Sequence, residues 1–166
     1  MLHIYKMKIV DNFLSKEDFL KIQSLLFSWD FPWYYQNKIN DHHTEDSLDS
    51  YFTHIIFDKE KGYSNFYNLI VPLLSKIDFK ALIRIKCNIY LKTDKVEIHK
   101  PHSDYDFKHK GAIFYINTND GGTILENGKK IDSVENRILF FDSYKKHSST
   151  STSNAKSRIN ININYF

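Results

Sequence analysis

Residues 158–164 read Arg-Ile-Asn-Ile-Asn-Ile-Asn. Side chains on a β-strand alternate between faces with period two. Arg158, Asn160, Asn162 and Asn164 therefore share one face, and Ile159, Ile161 and Ile163 share the other. The Ile face needs an apolar neighbour. The Arg/Asn face needs water or a ligand, because buried polar groups require hydrogen-bond partners. A strand of this kind predicts a β-sandwich or jelly roll, with apolar cover on one side and a polar interior on the other. Such an interior suits a charged small molecule.

The preceding sequence supplies matching pieces. In 83–91 the odd positions Ile83, Ile85, Cys87, Ile89 and Leu91 are apolar, and the even positions Arg84, Lys86, Asn88 and Tyr90 are polar or amphipathic. This is a half-buried strand. Further strands are expected at 96–102, 111–117, 123–126, 129–133, 137–142 and 157–165. Asn127-Gly128 marks a hairpin between two of them. Upstream, Ser15 with Asp18 three residues on predicts a helix N-terminus, and Leu14 can staple against Phe19. Phe19, Ile22, Leu25, Leu26 and Trp29 form its apolar stripe. A strand is expected over 51–57. A second helix is expected over 65–77, kinked or broken at Pro72. Residues 37–50 are polar and read as a loop that could close over a substrate. The fold class is α+β, mainly β: a jelly roll with N-terminal helices packed on one sheet. A length of 166 residues favours one domain, with helical support over 1–80 and the jelly-roll core over 81–166.

Composition narrows the function classes. Net charge is only +3, with no basic run, so charge does not call for a nucleic-acid partner. No apolar stretch reaches the length of a membrane span. Residues 1–6 lack a basic region followed by a long apolar stretch, so no signal peptide is expected. Cys87 is the single cysteine and has no intrachain partner, which reads as a reducing, cytoplasmic compartment.

Chemistry concentrates in His102-Ser103-Asp104, His147 and Arg158. Two histidines and a carboxylate supply the three protein ligands of a facial non-haem iron site and leave positions open for substrates and O₂. The absence of cysteine from the set argues against structural zinc. His102 closes the expected 96–102 strand and Asp104 lies in the loop after it. His147 follows the 137–142 strand, before a Ser/Thr-rich loop at 148–153. Arg158 inside a pocket would clamp a carboxylate through its two-pronged guanidinium. A ligand held there at one end could chelate the metal through a 2-oxo acid at the other. Tyr90 and Tyr115 share the pocket-facing parity and could donate to the same carboxylate, and Asn88 could reach the metal end. His99 reads as a neighbour rather than a ligand, and His42 and His43 as solvated loop residues.

Taken together, Asn88-Ile-Tyr90, Pro101-His-Ser-Asp104, Ala112–Asn117, Gly121-Gly-Thr123, Arg137–Asp142, His147 and Arg158 resemble the Fe(II)- and 2-oxoglutarate-dependent dioxygenase superfamily, in its prolyl-hydroxylase-like branch. The matching segments span roughly residues 83–166. The resemblance implies a double-stranded β-helix. It implies iron on His102, Asp104 and His147, and 2-oxoglutarate on Arg158, Tyr90 and Tyr115, with Asn88 nearby. It implies hydroxylation of an unactivated C–H using O₂, on a peptidyl, prolyl-type residue, with 2-oxoglutarate leaving as succinate and CO₂. Dealkylases of nucleobases in the superfamily carry a second Arg where this chain has Asn164, which counts against nucleic acid. Hydroxylation of a free amino acid or other small molecule, and a non-catalytic jelly roll that binds metal or a 2-oxo acid, stay open as alternatives.

Overall fold

The computed structural model describes residues 7–37 and 50–166. In chain order the elements are β1 (Lys8–Val10), α1 (Lys16–Leu26), β2 (Tyr34–Gln36), β3 (Tyr51–Asp58) and β4 (Gly62–Tyr63). A 3₁₀ turn (Tyr67–Ile70) leads into α2 (Val71–Leu74). The strands β5 (Leu82–Leu91), β6 (Lys110–Tyr115), β7 (Gly122–Leu125), β8 (Lys130–Asp132), β9 (Arg137–Phe141), β10 (His147–Ser149) and β11 (Ser157–Tyr165) follow. The larger sheet runs β1-β9-β6-β11-β5-β3-β2, with β4 paired to β3. The smaller runs β10-β7-β8. The pairs are antiparallel. The two sheets form a jelly roll whose α-helices cover the outer face of the larger sheet.

Period two explains which face goes where. Ile159, Ile161 and Ile163 of β11, Ile85 and Cys87 of β5, and Ala112 and Phe114 of β6 join Phe19, Ile22 and Leu26 of α1 in one buried core. The opposite parity of β6 and β9 supplies Ile113, Tyr115, Leu139 and Phe141, which form a smaller core with Ile131 of β8. Residues one step apart therefore serve different layers. The Ser15 hydroxyl accepts from the Asp18 amide and caps α1 as expected. Gly128, at φ 78°, closes the β7–β8 hairpin.

Four expectations are corrected. Residues 65–77 do not form one helix: Pro72 falls in the first turn of the four-residue α2, and the chain before it is 3₁₀. Proline has no N–H and clashes with the preceding turn, so it can begin a helix but not sit inside one. Trp29 lies beyond the end of α1 and is 93% exposed, outside the buried stripe. Residues 96–102 form no continuous strand. They meet their neighbour through isolated bridges, Ile98 to Thr150 and His102 to His147. Pro101, which lacks an N–H, interrupts that edge. Conversely, 147–149 is a strand rather than the start of a loop, pairing with Leu125, Ile124 and Thr123 of β7. The polar stretch expected as a loop over 37–50, with His42 and His43, lies outside the described residues except at its two ends.

Candidate active site

Between the two sheets lies a cavity lined by Lys86, Asn88 and Tyr90 of β5, by Arg158, Asn160 and Asn162 of β11, and by Thr123, His102 and His147 facing them. Each row of this polar wall is a cross-strand pair: Tyr90 with Arg158, Asn88 with Asn160, Lys86 with Asn162, and Arg84 with Asn164.

At one end His102, Asp104 and His147 bring one ligand atom each to within 4.8 Å of one another. Backbone pairing creates the meeting. The His102 amide donates to the His147 carbonyl at 2.9 Å and the His147 amide returns the bond at 2.9 Å. The imidazoles are thereby held side by side, with ring centroids 4.6 Å apart. Nε2 of His102 lies 3.8 Å from Asp104 Oδ1, and Nε2 of His147 lies 3.9 Å from Asp104 Oδ2. Nδ1–H of His147 donates to the Lys145 carbonyl at 2.9 Å, which turns Nε2 toward Asp104. The Phe141 ring edge braces the same imidazole at 5.0 Å.

Asp104 is gripped from behind. Its Oδ2 accepts from Asn164 Nδ2 at 2.8 Å, from Asn162 Nδ2 at 3.2 Å and from the Ser143 hydroxyl. Arg84 stands 3.5 Å from Oδ1. Burial works to raise this carboxyl. The charges of His147 and Arg84 and the Ser143 and Asn164 hydrogen bonds outweigh it and hold the group well below the ordinary carboxylate range. Burial, with His147 beside it, pushes His102 down to about 4. At neutral pH the set is a carboxylate and a neutral imidazole at His102, the protonation states a cationic metal requires. Among the described residues no fourth His, Cys, Asp or Glu joins the group. The donor set thus fits a metal that keeps positions open, not a closed structural site.

At the other end Arg158 is fully buried. Its Nη1 donates to the Thr150 carbonyl at 3.2 Å and its Nη2 to Thr123 Oγ1 at 3.4 Å, while Nε has no partner. The guanidinium lies 5.2 Å from the Tyr90 ring and 5.8 Å from that of Tyr115. Burial lowers its pKa, opposed by the neighbouring Tyr90 and Tyr115. No carboxylate of the described residues forms an ion pair with it. A buried cation without a counter-charge is costly, so the geometry calls for an anion.

The other sequence candidates fall around these two ends. Tyr90 lines the cavity, and Tyr115 donates to Thr123 Oγ1 at 2.8 Å behind Arg158. Asn88 donates to Asn160 Oδ1 at 2.9 Å and leaves its own Oδ1 unpartnered. His99 is satisfied by Ser149 Oγ at 2.8 Å and packs on Tyr90. Sequence reasoning passed over Arg84, Lys86 and Ser143. The first two share strand parity with Asn88 and Tyr90, a signal that was present. Ser143 carries no such signal, because its role depends on how the 142–147 turn folds back on Asp104.

No family profile and no characterised protein matches the chain by sequence. Solved structures match it by shape. A prolyl hydroxylase from Trichoplax adhaerens, in complex with a hypoxia inducible factor oxygen degradation domain peptide fragment, superposes with TM-score 0.66 at 18% identity, covering 96% of this chain and 83% of that one. A Pseudomonas putida prolyl-4-hydroxylase matches with TM-score 0.61 at 12% identity over 96% and 91%. A 2OG-Fe(II) oxygenase family oxidoreductase from Burkholderia pseudomallei matches with TM-score 0.68 at 11% identity over 96% and 84%. The fold is that of the 2OG-Fe(II) oxygenases, in the form seen in prolyl hydroxylases. At these identities the likeness is one of fold.

Proposed function

We propose that this protein is an Fe(II)- and 2-oxoglutarate-dependent dioxygenase folded as one domain, with strands from both halves of the chain building the larger sheet. One observation carries the reading: His102 and His147, which cluster with Asp104, line the same cavity as the buried Arg158, which has no carboxylate partner among the described residues. His102, Asp104 and His147 would hold the iron. Arg158, flanked by Tyr90 and Tyr115, would hold the distal carboxylate of 2-oxoglutarate, with Asn88 beside its 2-oxo end. When bound, iron and 2-oxo acid supply O₂-dependent oxidation of a C–H bond, the acid leaving as succinate and CO₂. The protein's own work is placement. Backbone pairing sets the two imidazoles, Ser143 and Asn164 orient the carboxylate, and the sheets exclude water around Arg158, which strengthens its hold on an anion.

The acceptor in this reading is a peptidyl residue of prolyl type. Its support is the shared fold with prolyl hydroxylases, one of them bound to a peptide. Anaerobic addition of Fe(II) and 2-oxoglutarate tests the cofactors without a known acceptor. The expected result is a weak visible charge-transfer band, lost in His147→Ala and weakened in Arg158→Ala. A folded, iron-loaded protein with no band would overturn the assignment.

A further inference from the structure

Lys86 is left unexplained by that reading. It sits mid-strand in β5, half-buried, facing the cavity that holds the metal cluster. Its ammonium has one modest partner, the Tyr51 hydroxyl at 3.4 Å, and lies 5.6 Å from that ring. Among the described residues no carboxylate pairs with it. Asp104 Oδ2 is already engaged by Ser143, Asn162 and Asn164, and Arg84 stands beside Oδ1. Burial, with Arg84 nearby, lowers Lys86 to about 8, so it remains mostly charged at neutral pH. A charge held this way in a protein wall is costly unless something pairs with it.

The strand register says what that partner is. Arg158 lies opposite Tyr90, Asn160 opposite Asn88, and Asn162 opposite Lys86. Successive rows are about 6.8 Å apart, because each spans two residues. A five-carbon diacid measures roughly 5 Å between its carboxyl carbons, by ordinary bond lengths. Clamped on Arg158, it reaches the Asn88 row and ends there. Lys86 is one row farther, at the level where Asn162 holds Asp104. Lys86 therefore lines the cavity together with His102 and His147, past the end of a 2-oxo acid clamped on Arg158.

We propose that Lys86 anchors a carboxylate of the acceptor substrate, so that this site oxidises acidic molecules with the anionic group close to the reacting C–H. This rests on the iron and 2-oxoglutarate part of the dioxygenase reading, and it puts a free carboxylate acid in place of the internal peptidyl acceptor. Arg158 and Lys86 then divide the two anions between them, one for the co-substrate and one for the acceptor.

The test uses the full chain loaded with Mn(II) and saturated with 2-oxoglutarate. Calorimetric titration with free amino acids and proline-containing dipeptides, each as acid and as primary amide, reads the preference directly. At least one acid is expected to bind roughly tenfold or more tightly than its amide, as for a charged hydrogen bond. Lys86→Met should erase that difference, Lys86→Arg should keep part of it, and 2-oxoglutarate affinity should change less than twofold in both. Acids and amides binding alike, or no acid binding at all, would overturn the proposal. So would a Lys86→Met variant that loses 2-oxoglutarate affinity in step, since Lys86 would then serve the co-substrate. Failure of the wild-type protein to bind 2-oxoglutarate would instead sink the underlying dioxygenase reading.

Discussion

Asn164 donates its side-chain amide to Asp104 Oδ2 at 2.8 Å, across a separation of 60 residues. With Ser143 and Asn162 on the same oxygen, the lone pairs of Oδ2 are occupied and Oδ1 is the freer donor. The carboxylate is thus aimed before any metal arrives. Groups that orient a ligand in this way typically contribute 10–100-fold in metal affinity. Asn164→Ala should lower Co(II) or Fe(II) affinity by about that factor while the far-ultraviolet dichroism stays native. An unchanged metal titration would show that Asp104 is positioned without Asn164.

Gly121 is required by crowding, not by backbone angle. A methyl group there would meet the Ser151 carbonyl, Arg158 Cδ at 2.7 Å and Thr150 Oγ1 at 2.9 Å. The Arg158 stem lies against this glycine, so Gly121→Ala should displace the guanidinium from its place between Tyr90 and Tyr115. The expected outcome is a loss of 2-oxoglutarate affinity of at least tenfold with metal affinity retained, read by equilibrium titration of each ligand. Equal loss of both would point to general unfolding instead.

Much of this site was legible in the sequence because strand parity is a strict code. The alternation in 158–164 assigned Ile159, Ile161 and Ile163 to the helix-covered core and Arg158, Asn160 and Asn162 to the cavity, and the structure agrees. The same code in β5 placed Asn88 and Tyr90. It was not pressed to Lys86 and Arg84, whose long charged chains read as solvent-facing when the wall opposite is unknown. Local pattern failed where context decides. Pro72 was recognised as a breaker, but the extent of the break depends on packing around Leu73 and Leu74, both buried. The His102–His147 pairing is invisible to periodicity, because it joins an irregular edge to a three-residue strand.

Acid should destabilise the metal-free protein before its exposed carboxylates titrate. His102 is held at about 4 in the fold, against about 6.5 in an unfolded chain. The unfolded form therefore takes up the proton first. Stability from this group is fully present above about pH 6.5 and is lost as pH falls toward 4. The loss is of the order of 3 kcal/mol at most, reduced by whatever solvent reaches the ring. His54, lowered by burial, adds a loss of the same sign. Urea unfolding at pH 7 and pH 4.5 measures the difference. His102→Gln should flatten the dependence by its own share, and an unchanged slope would remove His102 as its source.

Ile161 and Asn162 are adjacent in sequence and should behave as opposites. Ile161 is fully buried in the layer beneath α1, paired with Cys87 on one side and Phe114 on the other. Removing three of its carbons leaves a void among residues that cannot close over it. Ile161→Ala should cost about 2–5 kcal/mol of stability. The protein that remains folded should bind metal as before, because the opposite face of the strand keeps its side chains. Asn162 faces the cavity and donates to Asp104 at 3.2 Å. Asn162→Ala removes one of three donors on Oδ2 and little packing, so stability should fall by only about 1 kcal/mol. Metal affinity should drop in that variant by several-fold. Chemical denaturation and metal titration on both variants separate the two effects. If both lose stability and metal affinity in the same proportion, the division of β11 into a structural face and a functional face is wrong.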